Sequence, residues 1–158
     1  MTKELKQEYT LRITQANKTQ LITILYDMTL LYLEEAKEAL NEDQKEDFKM
    51  AIRKIQSCIG ELVDSLNTEY DLAKQLFQLY RYIYRELIKA STHYSQENLE
   101  HVASVIEKLR EAYAQIERQD TSGPVMGNTQ TVYAGLTYGR SDLNESITGV
   151  ESNRGFCV

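Results

Sequence analysis

LITILYDMTLLYL, residues 21–33, decides how this chain folds. Asp27 is its sole charge. The stretch is too apolar for a helix with one wet face. It is also too short for the roughly 18 to 20 apolar residues that a bilayer-spanning helix needs. Asn17 stands ahead of it, with Gln20 three residues on, a capping-box pattern before an apolar run. A helix is therefore predicted from here to about Asn41. At about 100° per residue, Leu21, Leu25, Met28, Tyr32, Ala36 and Ala39 fall in one stripe, the expected core face. Ile22, Tyr26, Leu33 and Leu40 widen it on one side, with Leu30 further round, and Ile24 and Leu31 widen it on the other. Only Thr23, Asp27, Glu34 and Glu38 remain as a narrow polar strip.

Three more helices follow from the same signals. Asp43 with Glu46 predicts a helix to about Asn67, and Thr68 with Asp71 one to about Thr92. Ser95 opens a fourth, to about Arg118. The connections are short, which makes sequential helices antiparallel neighbours. Lys3 to Leu11 is a weaker helical candidate with Leu5 and Tyr9 on one face. Pro124 is the only proline, and every glycine except Gly60 lies near or beyond it. The expected fold is all-α: an antiparallel up-down four-helix bundle over residues 17–118. A short extra N-terminal helix lies within residues 1–16, and a long irregular, Gly/Thr/Ser-rich C-terminal tail covers residues 119–158. Val132, Tyr133, Leu136, Tyr138, Leu143 and Ile147 are apolar anchors in that tail, so a lid or a docked extension is expected rather than plain linker.

Composition narrows the function. The formal net charge is −6, so no basic footprint for nucleic acid is expected, nor an anionic membrane surface as partner. The opening MTKELKQEYTLRI lacks the apolar centre of a secretory signal. With two cysteines, Cys58 and Cys157, this points to a reducing, cytoplasmic setting. No metal or other cofactor is expected. His93 and His101 are not paired at helical spacing with each other or with a cysteine, and no glycine-rich phosphate loop is present. Glu34, Glu35, Glu38, Glu42 and Asp43 read as a solvated helix end. Gly60 in a helix interior costs about 1 kcal/mol relative to Ala, which points to close helix approach.

The helix faces carry the functional signal. The Asp43–Asn67 helix has one apolar stripe of ordinary width, from Phe48 through Ile52, Ile55, Ile59 and Leu62 to Leu66. The 68–92 helix has two: Leu72, Leu76, Leu79, Ile83 and Leu87, and beside them Ala73, Phe77, Tyr80, Tyr84 and Ile88. That helix and the opening one offer more apolar width than a bundle core takes up. Three occupants compete for the excess: the N-terminal segment with the tail, a second copy in a homodimer, or an amphipathic partner segment lying in a groove. A fourth reading, a signalling bundle of phosphotransfer type, would use His101.

QANKTQLITILYDMTLLYLEEAKEAL, residues 15–40, resembles the start of the flagellin-specific export chaperones of the FliS type. The matching positions are Ala16, Leu21, Leu25, Tyr26, Asp27, Leu33, Ala36 and Lys37. KIQSCIGELVDSLN, DLAKQLFQLYRYIYRELIKA and LEHVASVIEKLREAY resemble the family's later helices in order and spacing, so the likeness spans about Thr14 to Ile116. Asn17-Lys18 stands for the family's Ser-Pro helix start, Met28 for its Gly, and Tyr113 for a Trp of many members. Tyr9 corresponds to its N-terminal Tyr with the spacing off by one. The resemblance implies a cytoplasmic, non-enzymatic chaperone. It would hold the C-terminal helical region of flagellin in apolar grooves, prevent premature polymerisation and aid delivery to the flagellar type III export gate. It implies that Leu21, Leu25, Tyr26, Leu30, Tyr80 and Tyr84 line or support the groove. Leu5 and Tyr9, on the N-terminal segment, would cover part of it.

Overall fold

The structure, a computed structural model, describes residues 1–126. Residues Met1–Val125 form one compact unit. Five helices make it up: α1 (Lys3–Gln15), α2 (Lys18–Asn41), α3 (Lys45–Asp64), α4 (Asp71–His93) and α5 (Gln96–Glu117), with no strand among the described residues. The tail anchors from Val132 to Ile147 lie outside the described residues.

Local chemistry explains most helix ends. Asn17 caps α2 with a complete box: its Oδ1 accepts from Gln20 N–H at 2.8 Å, and Gln20 Oε1 accepts from Asn17 N–H at 2.9 Å. Ser95 caps α5 by accepting from Asn98 N–H. The other two predicted caps do not form. Asp43 does not cap α3, which follows Gln44 without a side-chain cap. It ends α2 instead, at φ 55, as Asp43 N–H reaches Leu40 O and Gln44 N–H reaches Ala39 O. This is a Schellman stop, and Asp tolerates its left-handed position better than most residues. Thr68 does not cap α4, which starts at Asp71 after Tyr70. Asn67 Oδ1 accepts from Glu69 N–H at 3.1 Å and turns the connection instead. Tyr94 ends α4 at φ 51, and its ring packs on Phe48 with centroids 5.5 Å apart.

α2 packs on both α3 and α5, α4 packs on the same two, and α1 lies on α2. Thr19 meets Asp120, Thr23 meets Glu117 and Asp27 meets Arg110. One number falls as the other rises, so α2 and α5 run antiparallel. The core joins Leu33, Phe48, Ile55, Leu62, Ile83, Leu87, Leu99 and Ile106.

The face of α2 is rotated from the expected one. Tyr26, Thr29, Leu33 and Ala36 are buried and point at the core. Of the expected core stripe Ala36 and Ala39 are in the core, but Leu21, Leu25, Met28 and Tyr32 are only half-buried along its margin. Ile24 explains the difference. It lies on the far side of α2 from Tyr26 and Leu33, yet is 3% exposed. It borders a cavity together with Arg12, Gln15 and Ala16 from α1 and the corner after it and Glu117 from the end of α5, so its neighbours on that side are α1, the corner and α5. A helix that is wrapped on both sides needs apolar residues on both sides.

Gly60 also departs from expectation. A Cβ built on it meets nothing within 4 Å, so no helix approaches there.

Candidate interaction surface

Tyr26 and Asp27 are adjacent and do opposite things. Tyr26 turns inward, where its hydroxyl sits 2.6 Å from that of Tyr80 and its ring meets Tyr113 edge-on at 5.6 Å. Burial pushes both hydroxyls up, Tyr80 to about 12, so both stay neutral. Asp27 turns outward and ties three helices. Arg110 of α5 donates through Nε to its Oδ1 at 2.7 Å, and Arg12 of α1 donates to its Oδ2 at 3.0 Å. The hydrogen bond to Asp27 raises the Arg110 pKa further. Arg12 also lies over the ring of Tyr9, 5.1 Å from its centroid.

The other end of α1 is held by Glu35, which pairs with the Met1 ammonium and, at 3.7 Å, with Lys54 of α3. The corner between α1 and α2 is held from a third direction. Asn17 Nδ2 donates to the carbonyls of Asp120 and Ser122, Thr19 Oγ1 donates to Asp120, and Val125 N–H donates to Ala16 O at 3.0 Å. A Ser at position 17 has no amide to make the first two bonds. Hydrogen bonds from Ser122 and Thr19 hold the Asp120 carboxyl down to about 2.

The residues expected to line a groove separate into layers. Tyr26 and Tyr80 do not line a surface: both are buried, at 0% and 2% exposure. Their hydroxyls satisfy each other, which removes the polar penalty that would keep a tyrosine at the surface. Leu25 and Leu30 are half-buried against the core, and Leu21 is half-buried. Tyr84 is exposed, at 44%. Leu5 and Tyr9 are half-buried on α1.

Among the described residues, α4 carries more exposed large apolar side chains than any other helix. Its buried apolar residues are Ala73, Leu76, Tyr80, Ile83, Leu87 and Ala90, a complete core stripe. Leu72 and Leu79 are left out on one margin, and Phe77, Tyr84 and Ile88 on the other. Helical periodicity alone predicts Leu72 and Leu79 in the core stripe. The true stripe straddles the two expected ones, so each loses its outer members. The signal for this was the width of the apolar face itself.

Glu86 shows which margin faces α5. It is 4% exposed and takes hydrogen bonds from Asn98 Nδ2 at 2.6 Å, Lys89 Nζ at 3.0 Å and His101 Nδ1 at 3.2 Å. These bonds hold its carboxyl down to about 2, Asn98 contributing most. Glu86 lies on the Leu72–Leu79 side of α4, so that margin borders α5, and the Phe77–Tyr84–Ile88 margin borders α3. His101 is thus a partner of a structural carboxylate. Burial raises the Cys58 thiol pKa, which makes it unreactive. Among the described residues no group of His, Cys, Asp and Glu could hold a metal, and no helix is long and apolar enough to cross a membrane.

The comparisons with known proteins agree with one another. The sequence model of the family described as "Flagellar protein FliS" matches residues 1–120. The flagellar secretion chaperone FliS of Bacillus subtilis (strain 168) is 28% identical over 114 residues, covering 70% of this chain and 86% of that protein. A solved structure titled as a flagellar chaperone from bacteria superposes with a TM-score of 0.62 at 20% identity, over 74% of this chain and 98% of the other. That likeness supports the fold. The family is one of chaperones, not enzymes, which displaces the phosphotransfer reading of His101. On a match that spans most of its length, this chain belongs to the FliS family of flagellar secretion chaperones.

Proposed function

We propose that this chaperone binds the C-terminal helical region of flagellin in apolar grooves in the cytoplasm, prevents its premature polymerisation and aids its delivery to the flagellar type III export gate. In this reading α2 to α5, residues 17–118, form the antiparallel up-down bundle that carries the client. Residues 1–16 cover part of it through Leu5 and Tyr9, and residues 119–158 are its tail. Leu21, Leu25, Leu30 and Tyr84 face the client, while Tyr26 and Tyr80 support the surface from beneath.

One observation carries the reading. The core of α4 is complete without Leu72, Phe77, Leu79, Tyr84 and Ile88, which are 38% to 61% exposed on a helix of a family of secretion chaperones. An apolar margin of that kind marks an interaction site. A client that folds as it binds covers a large surface at moderate net affinity, because ordering it takes about 2–5 kcal/mol or more of the gross interaction. That balance suits release at an export gate. Calorimetric titration with a flagellin C-terminal peptide is expected to show binding with a negative heat-capacity change. No binding at tens of micromolar peptide rules the reading out.

The same margins would also suit a second copy of the chain. Sedimentation at several concentrations separates the two, since a homodimer built on α4 dissociates on dilution and a client-binding monomer does not change.

A further inference from the structure

The exposed face of α4 is basic as well as apolar. The whole chain has net charge −6, yet α4 carries four basic residues, Lys74, Arg81, Arg85 and Lys89, against two acids, Asp71 and Glu86. Lys74 pairs with Asp71, and Lys89 with Glu86. Arg81 and Arg85 have no carboxylate within ion-pair distance among the described residues, and both are exposed. Helical spacing places them along the solvent edge of the apolar margin that borders α3, Arg81 next to Ile88 and Arg85 further round. Phe77, Arg81 and Arg85 follow at i, i+4 and i+8, with Tyr84 and Ile88 filling the turns beside Arg81. The Arg81 guanidinium lies over the Phe77 ring, 5.9 Å from its centroid. Arg81 therefore stands over the apolar stripe instead of swinging away from it.

We infer that this margin of α4 receives an acidic amphipathic helix, whose apolar stripe lies on Phe77, Tyr84 and Ile88 and whose flanking carboxylates pair with Arg81 and Arg85. The inference goes beyond flagellin binding in naming the chemistry that this one margin selects. Two unpaired guanidiniums beside exposed aromatic and aliphatic side chains match carboxylates at the edge of an apolar stripe. Each guanidinium presents a planar fork to a carboxylate, and shape and charge are then read together. A basic amphipathic helix of the same apolar content would meet like charge.

Two labelled peptides test this on the full chain by fluorescence anisotropy. Both are amphipathic and helix-forming with the same apolar stripe; one is flanked by Glu and the other by Lys. The Glu peptide is expected to bind at least about tenfold more tightly. Arg81→Glu/Arg85→Glu should reverse that order, with the helical circular dichroism signal unchanged because both side chains are exposed. Tyr84→Ala/Ile88→Ala should weaken both peptides. Equal binding of the two peptides, no binding of either, or a preference that survives charge reversal overturns the inference. The flagellin C-terminal peptide is titrated into the same variants. If it binds with an affinity indifferent to the charge reversal and the Glu peptide shows no preference, the inference fails while flagellin binding stands.

Discussion

Tyr26 and Tyr80 meet hydroxyl to hydroxyl, 2.6 Å apart, across the core from α2 to α4. Neither helix is the other's packing neighbour, so this bond and the rings that carry it join opposite corners of the bundle. Tyr26→Phe leaves the Tyr80 hydroxyl buried without a partner, and Tyr80→Phe does the same to Tyr26. Each single change is expected to destabilise by about 1–3 kcal/mol. Tyr26→Phe/Tyr80→Phe removes both polar groups and should be less destabilising than the sum. Urea unfolding of the four proteins reads this directly, and strict additivity would show that the bond does not couple the two positions.

The same pair sets an alkaline limit. Burial raises both hydroxyls, Tyr80 to about 12 from an ordinary 10. The native state holds these protons more tightly than the unfolded chain. The stabilisation is therefore complete below about 10 and is lost as pH rises through the folded value. Thermal melts from pH 8 to 12 should fall steeply above about 10, with less fall in Tyr26→Phe/Tyr80→Phe.

Glu86 sets the acid limit with the opposite sign. Its carboxyl lies at about 2, below the ordinary 4.5, because Asn98, Lys89 and His101 donate to it. Its stabilisation is present above about 4.5 and is lost as pH falls through about 2. Glu86→Gln removes the charge from three charged or polar donors and should destabilise at pH 7 by about 1.5–3 kcal/mol. It should also flatten the fall in melting temperature between pH 4.5 and 2. An unchanged acid limb would assign that limb to other carboxylates.

Asp27 ties α1 and α5 to α2 through Arg12 and Arg110. Asp27→Asn should speed amide hydrogen exchange in both α1 and the C-terminal half of α5. Arg12→Ala should act on α1 alone, since Arg110 keeps its partner. Equal effects of both changes on α5 would show that the two arginines are not independent. α1 has no buried residue of its own, so its docking rests on such contacts.

Gly60 gives a prediction of the other sign. Nothing lies within 4 Å of a Cβ added there, and the position is inside α3. Gly60→Ala is expected to stabilise the protein by up to about 1 kcal/mol, through helix propensity and a smaller unfolded-state entropy. A lower melting temperature would mean that the bare backbone is needed by something that approaches it.

The helices and their order were legible because each rests on local rules. The box at Asn17 and Gln20 and the cap at Ser95 are chemistry within four residues, and both form as read. Asp43 and Thr68 carried the same pattern and did not cap. The preceding chain decided those two places, by a left-handed stop at Asp43 and a turn at Asn67. Periodicity likewise showed that α2 and α4 have too much apolar width, but not which part of it is left free. That depends on what lies on the far side of each helix.

By itself, then, the amino-acid order determined an all-helical chain with two over-wide apolar faces, and it carried the likeness to a chaperone family. Only the tertiary structure decided that Tyr26 and Tyr80 face each other inside, that Ile24 on the far side of α2 is buried too, and that Tyr84 and Ile88 are outside. The physical reason is that a helical pattern sets the angles between side chains on one cylinder, whereas burial depends on the rotation of that cylinder against its neighbours. A turn of some 60–100° about the axis leaves the pattern intact and exchanges core for surface.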